Sequence, residues 1–276
     1  MVNNNPIWID QEQQPKNKIH LHVATPVHSE VSIHYTQSLL ELQKQCWKRK
    51  YRCTFQLMKS SLVTQGRNLC VSGFLENSDA THLLFIDSDI AFEPKSVFTL
   101  LEKKKEIISM VYPMKTLNMK KLLNKVQSGK VVDEVKAHSA ALTYPVRLTD
   151  AHSEVRINDG VIEADHMPTG FMLIERNVFD KLIKAYPEKK IKQKTIINGE
   201  FAMRPHFWNF FDTHFDSKTN TYLGEDFAFC LLWKKIGGKC FVYISDYITH
   251  VGEYQYTGRL SDEMTPLEVE SPLKSE

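Results

Sequence analysis

The chain has 276 residues, 42% hydrophobic and 25% charged, with 35 Lys and Arg against 33 Asp and Glu for a formal net charge of +2. This composition supports a sizeable buried core, and its charge is too balanced for a broad nucleic-acid-binding surface. No run approaches the roughly 18 apolar residues of a membrane span, so integral-membrane, collagen-like, disordered and disulfide-scaffold classes are excluded.

Residues 1–17 are polar, rich in Asn and Gln, and read as a loose arm without the apolar run of a signal peptide. A cytoplasmic location is the simplest expectation. Lys18–Ala24 (KIHLHVA) reads as a first strand, stopped by Thr25-Pro26. Leu39, Leu40, Leu42 and Cys46 recur at helical spacing within Ser32–Lys48. A second strand follows at Tyr51–Met58, a second helix at Thr64–Glu76, and at Thr81–Ile86 a short apolar strand fit for burial on both faces. Pro94 suits the first position of a helix continuing through SVFTLLEKK, and Glu106–Tyr112 reads as a fourth strand. This alternation predicts an α/β fold with a doubly wound, mainly parallel sheet.

The second half is less regular. Val161–Asp165, Phe171–Glu175 and Lys239–Ser245 read as strands, Asn177–Ala185 and Glu225–Ile236 as helices, the latter closed by Gly237-Gly238. Glu188–Lys194 reads as a solvated charged loop and residues 257–276 as a polar tail. Five cysteines, an odd count without C-x-x-C, predict reduced and mostly buried thiols. One domain over residues 18–256 is expected, because no clean linker interrupts it.

In open α/β sheets ligands collect beyond the carboxyl ends of the strands. Three segments end there: Thr25-Pro26-Val27-His28, Ser60 to Asn68, and Asp87-Ser88-Asp89. The last follows the apolar HLLFI directly. Residues i and i+2 of an extended chain point the same way, so both carboxylates can face one ion. Mg²⁺ or Mn²⁺ often bridges such acids to a substrate phosphate. The alternative is a pair of solvated or loop-capping acids, since D-x-D alone is common. His20 and His22 have the spacing of a metal pair, but lining a sheet face is the preferred reading. The aromatic run His206–Phe211 is read as core in preference to a sugar-stacking surface.

Five pieces in order, VATP, QGRN, LLFIDSDIAFEP, MPTGFMLI and LGEDFAFCLLWKKIGGK with a later His250, span roughly Ile19 to Gly252. Together they resemble the nucleotide-sugar glycosyltransferases of GT-A fold, similar to glycosyltransferase family 2 and its relatives. The resemblance implies a Rossmann-like sheet flanked by helices, a nucleotide-binding half over 18–115 and a less regular acceptor-binding half over 116–256. It makes Asp89 a metal ligand, Asp87 a contact to the donor ribose or to the ion through water, and His250 a further metal ligand, with Ser88 on the donor side. An Asp/Asp/His set leans towards Mn²⁺ over Mg²⁺. Thr25 and Pro26 match the loop that accepts the nucleotide base. Arg67 and Asn68 match an Arg-Asn signature, where a guanidinium stacks on the base or offsets diphosphate charge. The alternative for Arg67 is a tie to a neighbouring carboxylate. Thr169 and Gly170 match a loop bordering the donor sugar and acceptor, with a β-bulge as the alternative role for Gly170. Asp226, preferred over Glu225, matches the general base that deprotonates the acceptor hydroxyl; helix capping is the alternative for one of the two.

The leading expectation is thus a metal-dependent transfer of sugar from a nucleotide-diphosphate donor, UDP by the family's habit, to a hydroxyl of a glycan or other acceptor, with inversion if Asp226 is the base. A retaining enzyme on the same fold, a sugar-nucleotide nucleotidyltransferase and a binding protein on an inactive transferase fold are the alternatives. The nucleotidyltransferase wants a Gly-rich basic loop after the first strand, where this chain has TPVHSEVS.

Overall fold

A computed structural model describes residues 18–130, 133–148, 155–197, 200–217 and 219–254. The first half runs β1 (His20–Val27), α1 (Ile33–Lys48), β2 (Arg52–Lys59), α2 (Val63–Glu76), β3 (His82–Ile86), β4 (Ile90–Ala91), α3 (Pro94–Glu102) and β5 (Ile107–Met110). Then come α4 (Met119–Gln127), α5 (Glu134–Ala141), β6 (Arg147–Leu148), β7 (Val161–His166), β8 (Phe171–Glu175) and α6 (Arg176–Ala185). Two hairpins follow, β9 (Lys194–Ile197) with β10 (Glu200–Met203) and β11 (His214–Asp216) with β12 (Thr221–Leu223). The last elements are α7 (Glu225–Lys235), β13 (Cys240–Tyr243) and β14 (Thr249–His250). The arm expected over 1–17 and the tail expected over 257–276 lie outside the described residues.

Eight strands form one sheet in the order β2-β1-β3-β8-β5-β13-β7-β6. Six of them run the same way, and β8 and β7 run against the rest. The expected α/β architecture, a mainly parallel sheet flanked by helices, is what the chain adopts. The alternation of side chains along the strands builds two cores. Leu83 and Phe85 of β3 join Phe74 of α2, Phe179 of α6 and Phe229 of α7 on one face. Leu84 and Ile86 join Leu42 of α1 and Leu100 of α3 on the other.

Local chemistry explains the element ends. The Ser32 hydroxyl accepts from the His34 amide at 3.2 Å and caps α1. Pro94 occupies the first turn of α3, where its missing N–H costs nothing. Gly237, at φ +87°, takes the left-handed position that ends α7. Pro26, however, does not stop β1. The strand pairs with β2 through Val27, but with β3 only as far as Ala24. Its end therefore lies on a free edge, where a residue without a donor is tolerated. The charged stretch Glu188–Lys194 is mostly exposed, as expected, with a short 3₁₀ turn at Pro187–Lys189 at its start and β9 beginning at Lys194.

All five cysteines are free and buried. Phe207, Trp208, Phe210 and Phe211 are buried, with Phe211 stacked on Phe229 at 4.2 Å, so the aromatic run is core. His20 and His22 are buried on the α2 face of the sheet. His22 sits 3.0 Å from both Thr54 Oγ1 and Gln56 Oε1, while His20 Nε2 lies 3.3 Å from Thr54 Oγ1. Desolvation lowers both imidazoles to about 4, so each is neutral at pH 7. Among the described residues no helix is long and apolar enough to cross a membrane.

Candidate functional site

β1 has β2 on one side and β3 on the other, so the strand order reverses there. Beyond the carboxyl ends of such strands lies the crevice where open α/β sheets bind ligands. β3 delivers Asp87 to this edge, β5 delivers Tyr112 to Lys115, α7 opens on it with Glu225 and Asp226, and β14 brings His250.

The ladder of β3 ends in a turn over residues 87–90, closed by the Ile90 amide donating to the Asp87 carbonyl at 3.1 Å. Asp87 and Asp89 are therefore not the i, i+2 pair of an extended chain, and the two carboxylates meet different partners. Arg67, from α2, holds Asp87 through two parallel bonds, Nη1 to Oδ1 at 2.9 Å and Nη2 to Oδ2 at 3.1 Å. Its Nε donates to Glu225 Oε1 at 3.3 Å. The Arg67 side chain is only 5% exposed. Burial opposes its charge, but Asp87 and then Glu225 outweigh that and hold the guanidinium protonated. The carboxylate tie, one of the two readings of Arg67, is thus present.

Asp89 faces a second cluster. Its Oδ2 accepts from Lys115 Nζ at 2.6 Å and lies 3.4 Å from His250 Nε2. Burial raises the Asp89 carboxyl, yet hydrogen bonds from His250 and Lys115 prevail and bring it down to about 2. β14 straps this cluster in place: His250 pairs with Ile90, and the Val251 amide donates to the Asp89 carbonyl at 2.8 Å. His250 Nδ1 sits 2.9 Å from the Pro113 carbonyl. A carbonyl only accepts, so Nδ1 carries a proton there, and the ring is held with Nε2 turned towards Asp89.

The expected trio of Asp87, Asp89 and His250 does not converge. Among the described residues no three His, Cys, Asp or Glu side chains group as a metal cluster, because Arg67 engages Asp87. Asp89 and His250 do meet. Neighbouring ligands of an octahedral ion with bonds of ~2.1 Å lie about 3 Å apart, close to their separation. Their side chains are 35% and 20% exposed. A carboxylate and an imidazole side by side are donor types that could hold a Mg²⁺ or Mn²⁺ ion.

Gly170 joins the parts. Its amide donates to Tyr112 Oη at 3.1 Å, and its carbonyl accepts from the Asp87 amide at 2.9 Å. A Cβ here would stand 2.4 Å from Tyr112 Oη and 2.5 Å from Asp87 Oδ2, so close approach, not a bulge, requires glycine. Thr169 beside it is buried, with an Oγ1 that has no hydrogen-bond partner among the described residues. Thr25 is buried with its hydroxyl 2.6 Å from Tyr35 Oη. Pro26 is half-buried against Gly66 of α2. Asn68 is buried: its amide donates to the Phe211 carbonyl at 2.9 Å and to Asn209 Oδ1 at 3.0 Å, and its oxygen accepts from the Phe211 amide at 2.9 Å. Thr25 and Asn68 spend their side chains inside the fold, supporting the site from behind. The Ser88 carbonyl accepts from the Ser32 amide at 2.8 Å, tying the acidic turn to α1.

The two acids opening α7 diverge. Glu225 serves Arg67. Asp226 makes no salt bridge among the described residues; its Oδ1 accepts from the Phe227 amide at 2.8 Å. Burial, and then the neighbouring Glu225 charge, push its carboxyl above the ordinary value. Tyr112, expected only as the last residue of a strand, and Lys115 have no role in the sequence expectations; they follow β5, whose carboxyl end belongs to the same edge as those of β1, β2 and β3.

No protein-family model matches the chain, and no characterised protein matches it by sequence. Among solved structures it is similar to A197 from STIV, at 17% identity over 85% of this chain and 87% of that one, with a TM-score of 0.46. It is also similar to a glycosyltransferase involved in glycosylation of the major capsid of PBCV-1, at 8% identity over 62% of this chain and 67% of the other, TM-score 0.31. A third likeness is to GalNAc-T7 solved with UDP, GalNAc and Mn²⁺, at 11% identity and TM-score 0.35; it covers 84% of this chain and only 45% of that one. These likenesses are too remote to place the chain in any of their families.

Proposed function

We propose that the chain is a GT-A-type glycosyltransferase that moves a sugar from a nucleotide-diphosphate donor to a hydroxyl acceptor. One observation carries this reading: four acids gathered at the carboxyl edge of the sheet occupy three different electrostatic settings. Asp87 and Glu225 are fixed by Arg67, Asp89 is paired with His250 and Lys115, and Asp226 makes no ion pair among the described residues. Sugar transfer needs such a division, with positive charge for the leaving diphosphate and a separate base for the nucleophile.

In this reading Asp226 accepts the proton of the acceptor hydroxyl as its oxygen bonds to the anomeric carbon. The bond from that carbon to the diphosphate oxygen breaks, and the nucleoside diphosphate leaves with the electron pair. The raised affinity of Asp226 for a proton suits it to this task. Attack from the face opposite the leaving group inverts the anomeric centre. Asp89 and His250 would hold a divalent ion, Mn²⁺ in preference to Mg²⁺, which when bound neutralises charge on the departing diphosphate. Lys115 places a further positive charge beside them. Pro26, Ser88 and Thr169 are assigned to the donor side, and Asp87 is assigned to hold Arg67 and the ribose end of the donor.

The test is a screen of nucleotide sugars with Mn²⁺ and hydroxyl acceptors, following release of the nucleoside diphosphate. Release that disappears in Asp89→Ala and Asp226→Asn is the expected result, with an inverted anomer by NMR. A retained anomer removes the base role from Asp226. Pyrophosphate release from a nucleoside triphosphate and a sugar phosphate overturns the assignment in favour of nucleotidyl transfer.

A further inference from the structure

The segment following β5 leaves the site and becomes α4, whose outer face is apolar. Successive residues of a helix are turned by ~100°, which places Met119, Leu123 and Val126 within about 60° of one another. They are 55%, 56% and 48% exposed, and α4 contains no buried residue although it packs against α5. Met114 and Leu117, on the way into the helix, are each 44% exposed. Residues 113–130 also carry Lys115, Lys120, Lys121, Lys125 and Lys130 and no acid, in a chain whose total charge is only +2. Lys115 is held by Asp89 and Lys121 by the Leu142 carbonyl, whereas Lys120, Lys125 and Lys130 have no acidic partner among the described residues.

We infer that this face docks on an anionic lipid surface, with Met119, Leu123 and Val126 entering the headgroup boundary and the lysines on the phosphates. An apolar stripe bordered by lysines is what an interfacial helix requires. A nucleic acid is a poorer match, because residues 113–130 hold neither Arg nor an aromatic ring to stack on bases. A second copy of the chain is disfavoured by charge, since two such faces would bring Lys120, Lys125 and Lys130 of each copy together with no acid on residues 113–130 to offset them. The docking places the site at the lipid surface: on the same short segment, the Pro113 carbonyl holds His250 and Lys115 holds Asp89. It does not depend on the proposed transfer reaction, and its test needs no donor.

The test is co-sedimentation of the full chain with vesicles of phosphatidylcholine alone or mixed with phosphatidylglycerol. Partition onto the mixed vesicles, weakened by salt, is expected. Lys120→Glu/Lys125→Glu should lower it about 25-fold or more, from two lysines each contributing near fivefold. Leu123→Glu/Val126→Glu should abolish it, with circular dichroism and melting temperature unchanged because both side chains are exposed. No partition onto anionic vesicles overturns the inference, as does partition that the Leu123/Val126 variant retains. Salt-sensitive binding to an RNA or DNA oligonucleotide without vesicle binding would replace lipid with nucleic acid. A dimer by light scattering that the same variant dissolves would replace it with a second copy.

Discussion

Arg67→Met is the sharpest probe of how the site is held. The guanidinium makes two bonds to Asp87 and one to Glu225, with side chains 5%, 25% and 16% exposed respectively. Methionine keeps much of the stem but leaves two carboxylates facing each other without a cation. Removing one member of a buried ion pair costs about 3–5 kcal/mol, and the partial exposure of the two acids points to the lower end, ~3 kcal/mol. For a domain of this size that lowers the melting temperature by about 6–12 °C. Urea unfolding and calorimetry measure both quantities. Adding Asp87→Asn and Glu225→Gln to the Arg67→Met background should recover most of the loss, because no uncompensated charge remains. A loss below about 1 kcal/mol in the single variant, or no recovery in the triple one, would refute the claim that this guanidinium holds the edge together.

Asp226→Asn should lower kcat by about 10²–10⁴-fold and leave affinity for the nucleoside diphosphate unchanged; titration calorimetry beside steady-state kinetics separates the two. Lys115→Met removes an ammonium that competes for Asp89, so Mn²⁺ affinity measured by electron paramagnetic resonance should rise about fivefold, the worth of a partly exposed pair near 1 kcal/mol. An unchanged or weaker affinity would mean that Lys115 and the ion do not share that carboxylate. The neutral His22 makes stability acid-sensitive. Its imidazole titrates at about 4 in the fold against 6.5 when free, so between those values the unfolded chain binds more protons. Stability is therefore complete above pH 6.5 and falls towards pH 4 by roughly 3 kcal/mol for this group. Denaturation midpoints for wild type and His22→Gln across that window should diverge, the variant showing the shallower slope.

The alternation of strands and helices through β5 was legible because each element carries its own periodicity and punctuation: Pro94 begins α3, and HLLFI is too short and apolar to be anything but an inner strand. Pairing order was not legible. Phe171–Glu175 reads as a strand from its residues, but nothing local tells it to run antiparallel between β3 and β5. The acids showed a similar divide. Their presence at the sheet edge follows from strands ending in Asp87 and a helix opening on Glu225. The assignment of Asp87 to Arg67 depends on a turn over residues 87–90 that no spacing rule anticipates. Lys115 and Tyr112 carry no spacing pattern of their own, and only the position of the β5 end beside β8, itself next to β3, gives them a place at the site.

The insertion of β8 explains why the site is one unit and not a row of independent strand ends. Asp87 and Tyr112 follow strands that would be neighbours in a plain parallel sheet, yet β8 lies between them and begins just after Gly170. The glycine amide reaches Tyr112 and its carbonyl receives the Asp87 amide, so one residue spaces both strand ends. Tyr112 in turn packs its ring edge-on against His250 at 5.3 Å, and Pro113 fixes that imidazole through its carbonyl. From Arg67 to His250 there is therefore an unbroken run of contacts: guanidinium to Asp87, Asp87 to Gly170, Gly170 to Tyr112, Tyr112 to His250, His250 to Asp89. Short polar bonds and close packing of this kind fix the separation between the cationic side and the ion-pair side.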